Sequence, residues 1–308
     1  MQDDAPFSFH CTACGKCCNS PPRLTLPELL HHQDVFIGCL AISRLAAGAD
    51  AQRAALLDTL AFRAPGPGGA THIAIVPQGY GYDSAQSCPA LAGAGLCALH
   101  EHRKPMQCGV VPLDPLAPDP QQGLVLSERL QDGAWLEAGC IGHAAAGARA
   151  PLIASMQVVD PVFASALQAQ RGAMAADLRM WGRGVFDLLR ADGTAIDSAL
   201  SRVPLGGFVA LPMVPALLVL AGISEILRQA CITFLKAQVH LIDVSVRQAV
   251  LRRQRDDRPM TERLRAWAVS YRGLHAMLIE APLPERPESD VVARAYLEGP
   301  LSPVLLPA

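Results

Sequence analysis

The sequence predicts a mainly α-helical protein, in which an irregular cysteine-cluster module with short helices and minor β structure precedes a helical domain. The cysteine-cluster module is assigned to residues 1–150 and the helical domain, whose role is not assigned, to residues 151–308. Nine of the ten cysteines lie in the first part, which also contains runs rich in proline and glycine at Pro65–Gly69 and Pro112–Pro120. In the second part, apolar residues recur at intervals of three and four, as is typical of helices that pack on one face.

Local signals define the elements of the first part. Thr25 and Glu28 are three residues apart, as in a capping box, and Pro27 suits a first helical turn, so a helix is predicted from Thr25 to about Asp34. An alanine-rich helix is predicted at Ile42–Phe62. Two short strands are predicted at Thr71–Val76 and Leu124–Leu126.

Three helices are predicted in the second part. They cover about Pro161–Leu189, Ala216–Arg253 and Thr261–Ile279, where apolar side chains recur on one face. The tail from Pro282 is rich in proline and is predicted to be irregular.

One uncharged stretch tests whether the chain enters a membrane. The segment Val203–Ser224 carries no charge and is long enough to cross a bilayer. Pro204, Pro212 and Pro215 interrupt it, and no pattern of flanking charges or aromatic residues accompanies it. We therefore predict a buried loop that leads into a buried helix, and no membrane span.

Charge and cysteine usage narrow the classes of function. The formal net charge of −2 leaves no basic excess of the kind that nucleic-acid-binding domains show, so no nucleic-acid partner is expected. The first residues lack the basic and apolar segments of a secretory signal, and we expect a cytoplasmic protein. In that reducing compartment, clustered cysteines more often bind metal or do chemistry than form disulfides.

The strongest motif is a C-x2-C-x2-C-C run, formed by Cys11, Cys14, Cys17 and Cys18. Two-residue spacing lets successive thiolates converge on one metal ion, because a tight turn brings both sulfurs to the same side. Gly15 suits such a turn, since glycine tolerates a left-handed backbone. The adjacent Cys17 and Cys18 are expected to point in different directions, so they either serve two metal centres or divide between ligation and packing.

A second set of cysteines follows at wider spacing, at Cys88, Cys97, Cys108 and Cys140. Thiolates from separated segments can close one metal site, and metal binding then supplies folding energy because the site does not exist in the unfolded chain. The first half is therefore predicted to be a metal-bound module.

The order of these motifs over residues 8–143 resembles the YkgJ-type cysteine-cluster family. The matching motifs are C-x2-C-G-x-C-C, Thr-x-x-Glu, C-P-x-L, C-x-(Ile/Leu)-(His/Tyr), (Lys/Arg)-Pro-x-x-C and C-x-G. That family is described as chelating zinc or iron and includes flagellin lysine N-methylase. The resemblance implies eight metal ligands, enough for two four-thiolate sites: Cys11, Cys14, Cys17, Cys18, Cys88, Cys97, Cys108 and Cys140. Ile141 stands where a proline often follows the last cysteine of the family, which makes Cys140 the weakest match.

Three functions remain open from the sequence. Zinc and iron–sulfur clusters both accept four cysteines, and the resemblance favours an iron–sulfur cluster of the 4Fe–4S type. It also implies a protein lysine N-methylase-like activity with S-adenosylmethionine, for which the helical half would hold a protein substrate or partner. The alternatives are a structural zinc-binding interaction protein without catalysis and a protein for trafficking or sensing of soft metals. No catalytic or cofactor-binding residue is assigned.

The other candidate residues have weaker claims. Cys39 and Cys231 lie among apolar neighbours in the sequence and are expected to pack in the core. His10, His100 and His102 adjoin the cysteines and are candidates to hydrogen-bond the thiolates or to replace one of them, although the thiolates alone suffice.

Overall fold

The computed structural model describes residues 6–66, 69–92, 95–100, 103–131, 139–143, 150–191, 195–203, 207–280 and 287–299. The strands are β1 Phe7–Phe9, β2 Ile37–Leu45, β3 Phe62–Gly66, β4 Gly69–Tyr80, β5 Ile141–His143, β6 Ile153–Ala154, β7 Gln157–Val158 and β8 Val209–Pro212. The helices are α1 Leu26–His31, α2 Ala51–Leu60, α3 Met106–Val110, α4 Gln122–Gln131, α5 Pro161–Asp177, α6 Arg183–Ala191, α7 Ala195–Ser201, α8 Val214–Ala221, α9 Glu225–Arg252, α10 Arg258–Glu280 and α11 Pro287–Glu298.

The predicted mainly α fold class is wrong, because the described strands form two four-stranded sheets beside the helices. One sheet has the order β5-β1-β6-β7 and the other the order β3-β4-β2-β8, with antiparallel pairing throughout. The protein is therefore of mixed α and β structure.

Strand β2 explains most of this error. It pairs with β4 on one side and β8 on the other, and its residues 37–42 are all buried. A strand buried on both faces reads as a continuous apolar run without alternation, which periodicity does not separate from a buried helix. The predicted helix Ile42–Phe62 therefore began too early; only Ala51–Leu60 is helical, with Asp50 as its N-cap.

The second sheet crosses the predicted domain boundary at residue 150. Strand β8 lies beyond that boundary, yet Cys39 of β2 is the register partner of Pro212. The main hydrophobic core lies between this sheet and the helices α8, α9 and α10, and includes Phe234 and Tyr271. A smaller core joins the first sheet to α3, α4 and α5. The proposed division into two domains stays a prediction.

Several predicted elements are confirmed and others are not. Helix α1 has the predicted capping box between Thr25 and Glu28, and the strand predicted at Thr71–Val76 lies within β4. Residues 124–126, predicted as a strand, belong to α4, and the tail predicted to be irregular contains α11.

The predicted helices of the second half are mostly confirmed, with breaks. The 161–189 helix is α5 and α6 joined by a π-helical turn at residues 178–182. The predicted 216–253 helix is divided into α8 and α9, because Ser224 adopts an extended conformation and its side chain caps α9 by accepting from the Leu227 N–H. Among the residues that the structure describes, no helix is both long enough and apolar enough to cross a bilayer.

A buried carboxyl fastens α1 to the C-terminal helices. Asp177 Oδ2 accepts a hydrogen bond from the Leu26 N–H at 2.9 Å, and Oδ1 accepts one from the Tyr296 hydroxyl at 2.7 Å. Burial raises the pKa of Asp177 to about 7, against the lowering effect of these hydrogen bonds. The carboxyl thus holds the start of α1, which in turn supports the cysteine loops.

This raised pKa predicts a pH-dependent stability. Because the pKa of Asp177 is higher in the folded than in the unfolded chain, its contribution is fully present below its ordinary pKa of 3.8 and is lost as the pH rises to about 7. We expect Asp177→Asn to lack this loss. The difference in unfolding free energy between variant and wild type, measured in urea, should shift in favour of the variant between pH 5 and pH 8.

The control for this experiment is Asp187→Asn, which removes an exposed carboxyl that pairs with Arg183. Its difference from wild type should stay constant between the two pH values, because exposed ion pairs contribute little. A parallel pH response of wild type and the Asp177 variant would contradict the prediction.

Candidate metal centre

All ten cysteines are free thiols, so none is joined in a disulfide. Cys39 and Cys231 are fully buried in the main core, where burial raises the pKa of Cys39 beyond the ordinary range and that of Cys231 to about 12. Both were predicted to pack in the core, and this is confirmed. The remaining eight thiols are the predicted ligands.

The N-terminal cysteine run forms a tight loop between β1 and α1. Gly15 has φ +71°, and a Cβ there would lie 3.2 Å from the Leu91 side chain, so the position requires glycine. The Cys18 N–H donates to the Gly15 carbonyl at 2.9 Å, and the Cys88 N–H donates to the Cys18 carbonyl at 2.7 Å. These contacts hold the segment of Cys88 against the loop of Cys17 and Cys18.

Five thiols, from this loop, from the 88–97 segment and from α3, are linked by electrostatic interactions and by a hydrogen bond between Cys17 and Cys18. We call Cys17, Cys18, Cys88, Cys97 and Cys108 the five-thiol group. The Cys17 and Cys18 side chains share a hydrogen bond, which raises the pKa of Cys17 beyond the ordinary range, with burial adding to the rise. The same hydrogen bond lowers the pKa of Cys18, although burial and the nearby Cys108, Cys88 and Cys97 act in the opposite direction.

The deeper thiols of the group also influence one another. Burial raises the pKa of Cys108 to about 12, and Cys88 and Cys97 add to this rise while Lys104 opposes it. Burial likewise raises the pKa of Cys88, with a further contribution from Cys97. Cys18, Cys88, Cys97 and Cys108 therefore interact electrostatically with one another, as like charges do in a partly buried site.

A second pair of thiols lies at the edge of the first sheet. The His10 N–H donates to the Cys140 carbonyl at 2.8 Å, continuing the pairing of β1 with β5. This places the Cys140 thiol 3.3 Å from the Thr12 hydroxyl and within hydrogen-bonding reach of Cys14. Burial raises the pKa of Cys14, but hydrogen bonds with Thr12, the Lys16 backbone and Cys140 lower it overall.

The glutamate of α1 does more than cap its helix. Glu28 Oε2 accepts from the Thr25 N–H at 2.8 Å, and Oε1 accepts from the Met106 N–H at 2.6 Å. The next turn adds a contact of 2.8 Å between His32 Nε2 and the Arg103 carbonyl. Helix α1 therefore holds both ends of residues 103–106, the segment that leads to Cys108. The sequence revealed the cap through the Thr-x-x-Glu spacing, but not the link to Met106.

Seven of the eight predicted ligands thus belong to these two sets, and their assignment to two four-thiolate sites stays a prediction. Buried Cys140, the weakest match, lies with Cys14, and Cys11 is on the same loop; Cys11, Cys14 and Cys17 are all exposed. His10 and His100 are exposed, and His102 lies outside the described residues. Among the described side chains, no three histidines, cysteines or carboxylates already stand in an arrangement that could hold a metal ion.

The chemistry of the donors nevertheless suits a metal. Free thiols are stabilised as thiolates when a cation is placed among them. The five-thiol group fits zinc or an iron–sulfur cluster by donor type, since both take thiolate sulfur. Cys17, Cys18, Cys88 and Cys108 also line a cavity of about 830 Å³, so the group is open to small molecules.

No protein-family model, curated protein or solved structure matches the chain in comparisons with known proteins.

Proposed function

We propose that the chain is a metal-binding cysteine-cluster protein whose five-thiol group holds the metal. The observation that supports this most strongly is that thiols from three separate segments interact electrostatically while none of them is in a disulfide. The thiolate forms of Cys88 and Cys108 are disfavoured by burial and by the neighbouring thiols, which raise the pKa of both residues. A bound cation offsets both effects.

Metal uptake in this proposal completes the fold of the cysteine loops. The loops are already connected by the hydrogen bond between Cys88 and Cys18 and by the contact of Glu28 with Met106. The described thiols do not stand in ligand geometry, so binding in this proposal includes a rearrangement of the cysteine side chains. Because metal binds the folded loops in preference to the unfolded chain, its binding free energy adds to stability.

An iron–sulfur cluster is our first choice of metal centre and a structural zinc ion is the alternative. Both accept thiolate ligands, and the positive charge of Lys104, which lowers the pKa of Cys108, helps to balance gathered thiolates in either case. The choice of iron–sulfur rests on the resemblance to the YkgJ-type family. The methylase-like activity implied by that resemblance stays a prediction, with no catalytic residue assigned.

The metal can be identified directly on protein purified without oxygen. We expect stoichiometric iron with acid-labile sulfide and a brown colour with broad visible absorption. Stoichiometric zinc in a colourless protein, with thiols that resist alkylation until a chelator is added, would support the structural alternative instead. A folded protein that contains neither metal after anaerobic purification would contradict both.

A further inference from the structure

The cavity beside the five-thiol group has the size of a ligand site. Its volume is about 830 Å³, within the range of about 300 to 1,000 Å³ that small-molecule sites occupy. Its floor is formed by the β2–β4 part of the second sheet, including Ala41, Ser43 and Val76. The lining residues run along β2 from Ala41 to Ala46, which lies just beyond the end of the strand. Because a strand advances about 3.4 Å per residue, the cavity is elongated along the sheet.

Two large apolar side chains in the wall of this cavity are exposed to solvent. Phe208, directly before β8, is 38% exposed, and Leu124, on α4, is 46% exposed. Together with Val76 and Leu45 they offer an apolar surface inside a concave site. An apolar surface in a cavity favours a ligand with an apolar body, because binding removes that surface from water.

Arg53 places a positive charge in the wall of the cavity. The Arg53 guanidinium donates from Nε to the Ala46 carbonyl and from one terminal nitrogen to Gln121 Oε1, both at 3.0 Å. Both acceptors are neutral, and both residues line the cavity. Within the described part of the chain, no carboxylate forms an ion pair with Arg53. The guanidinium is thus held in place. The pKa of Asp50, which does not line the cavity, is lowered first by the hydrogen bond from the Arg53 N–H and also by the Arg53 charge.

The other charges of the cavity wall partly cancel. Asp114 accepts from Arg23 at 3.2 Å; burial raises its pKa, but Arg23 and, less strongly, Arg129 lower it overall. Glu128 also lines the wall. The wall contains four arginines, which are Arg23, Arg44, Arg53 and Arg129. Its carboxylates are Asp114 and Glu128, so positive charge is in excess among the lining residues.

We propose that this cavity binds an organic anion, with its acidic group on Arg53 and its apolar body against Phe208 and Leu124. Arginine suits this role because its planar guanidinium recognises carboxylate, sulfonate or phosphate groups through paired hydrogen bonds. A molecule in the cavity would also lie beside the five-thiol group, since four of its cysteines line the same space. The proposal does not depend on which metal the thiols hold.

The test uses two fluorescent dyes, anionic 8-anilinonaphthalene-1-sulfonate and its neutral relative N-phenyl-1-naphthylamine. We expect saturable binding of the anionic dye to the full chain, with affinity reduced about tenfold in Arg53→Gln, as the loss of a charge-assisted hydrogen bond predicts. Arg53→Lys should retain part of the affinity. The neutral dye should bind equally to wild type and Arg53→Gln.

Two further variants complete the test. Arg247→Gln removes an exposed arginine of α9 far along the sequence from the cavity residues and should leave both affinities unchanged. Phe208→Ala should weaken both dyes, which distinguishes loss of the apolar surface from loss of charge. Equal binding of the anionic dye by the Arg53→Gln and Arg247→Gln proteins, binding that does not saturate, or no effect of Phe208→Ala would overturn the proposal.

Discussion

Replacement of Cys18 by alanine is expected to abolish stoichiometric metal binding. The Cys18 thiol has a lowered pKa through its hydrogen bond with Cys17, and it interacts electrostatically with Cys88, Cys97 and Cys108. It is therefore the side chain that connects Cys17 with the other three thiols of the group. Loss of a residue that only supports a ligand costs about 10- to 100-fold in metal affinity, so we expect loss of a ligand to exceed that range.

The measurement is the metal content of anaerobically purified protein, together with its melting temperature before and after treatment with a chelator. Wild type should lose stability with the metal, whereas the Cys18→Ala protein should melt at the same temperature in both states. Cys39→Ala and Cys231→Ala are matched controls, because both remove a buried thiol that lies outside the group. Wild-type metal content in Cys18→Ala, or equal losses in all three variants, would argue against the five-thiol group as the metal site.

Replacement of Glu28 by glutamine is expected to destabilise the protein and loosen the segment that carries Cys108. The carboxylate accepts hydrogen bonds from two opposite directions, the Thr25 and Met106 N–H groups. A glutamine side chain has a single acceptor oxygen, so its amide N–H₂ would face one of these donors. An unsatisfied buried donor costs about 1 to 3 kcal/mol, and we expect the free energy of unfolding to fall by about that amount.

This effect can be followed by urea unfolding and by the rate at which Cys108 is alkylated in metal-free protein. Alkylation should be faster in the variant, because Met106 is no longer held to α1. Glu262→Gln provides the control, since Glu262 is an exposed partner of Arg258 on α10, and its removal should change stability by less than about 0.5 kcal/mol. A Glu28 variant as stable as the Glu262 variant would show that the Met106 contact contributes little.

The predictions from the sequence that are confirmed depend on local interactions and on residue type. The Thr25–Glu28 capping box, the helix around Thr261–Ile279 and the core positions of Cys39 and Cys231 follow from residue type and spacing, and all are confirmed. Such features depend on contacts within a few residues or on the burial preference of one side chain. The glycine at position 15 belongs to this class as well, since its left-handed backbone follows from a tight turn between cysteines.

The sequence alone determined that this protein carries a cluster of soft thiol donors. The C-x2-C-x2-C-C run and the later cysteines are visible in the sequence, and their donor type does not depend on the fold. Only the tertiary structure decided which thiols are neighbours: pairing of β1 with β5 brings Cys140 to Cys14, and the Cys88–Cys18 hydrogen bond assembles the five-thiol group. It also decided that β2 is a central strand and that Arg53 faces a cavity. These outcomes depend on pairing between segments that are distant in sequence. The local spacing of residues does not predict which distant segments pair.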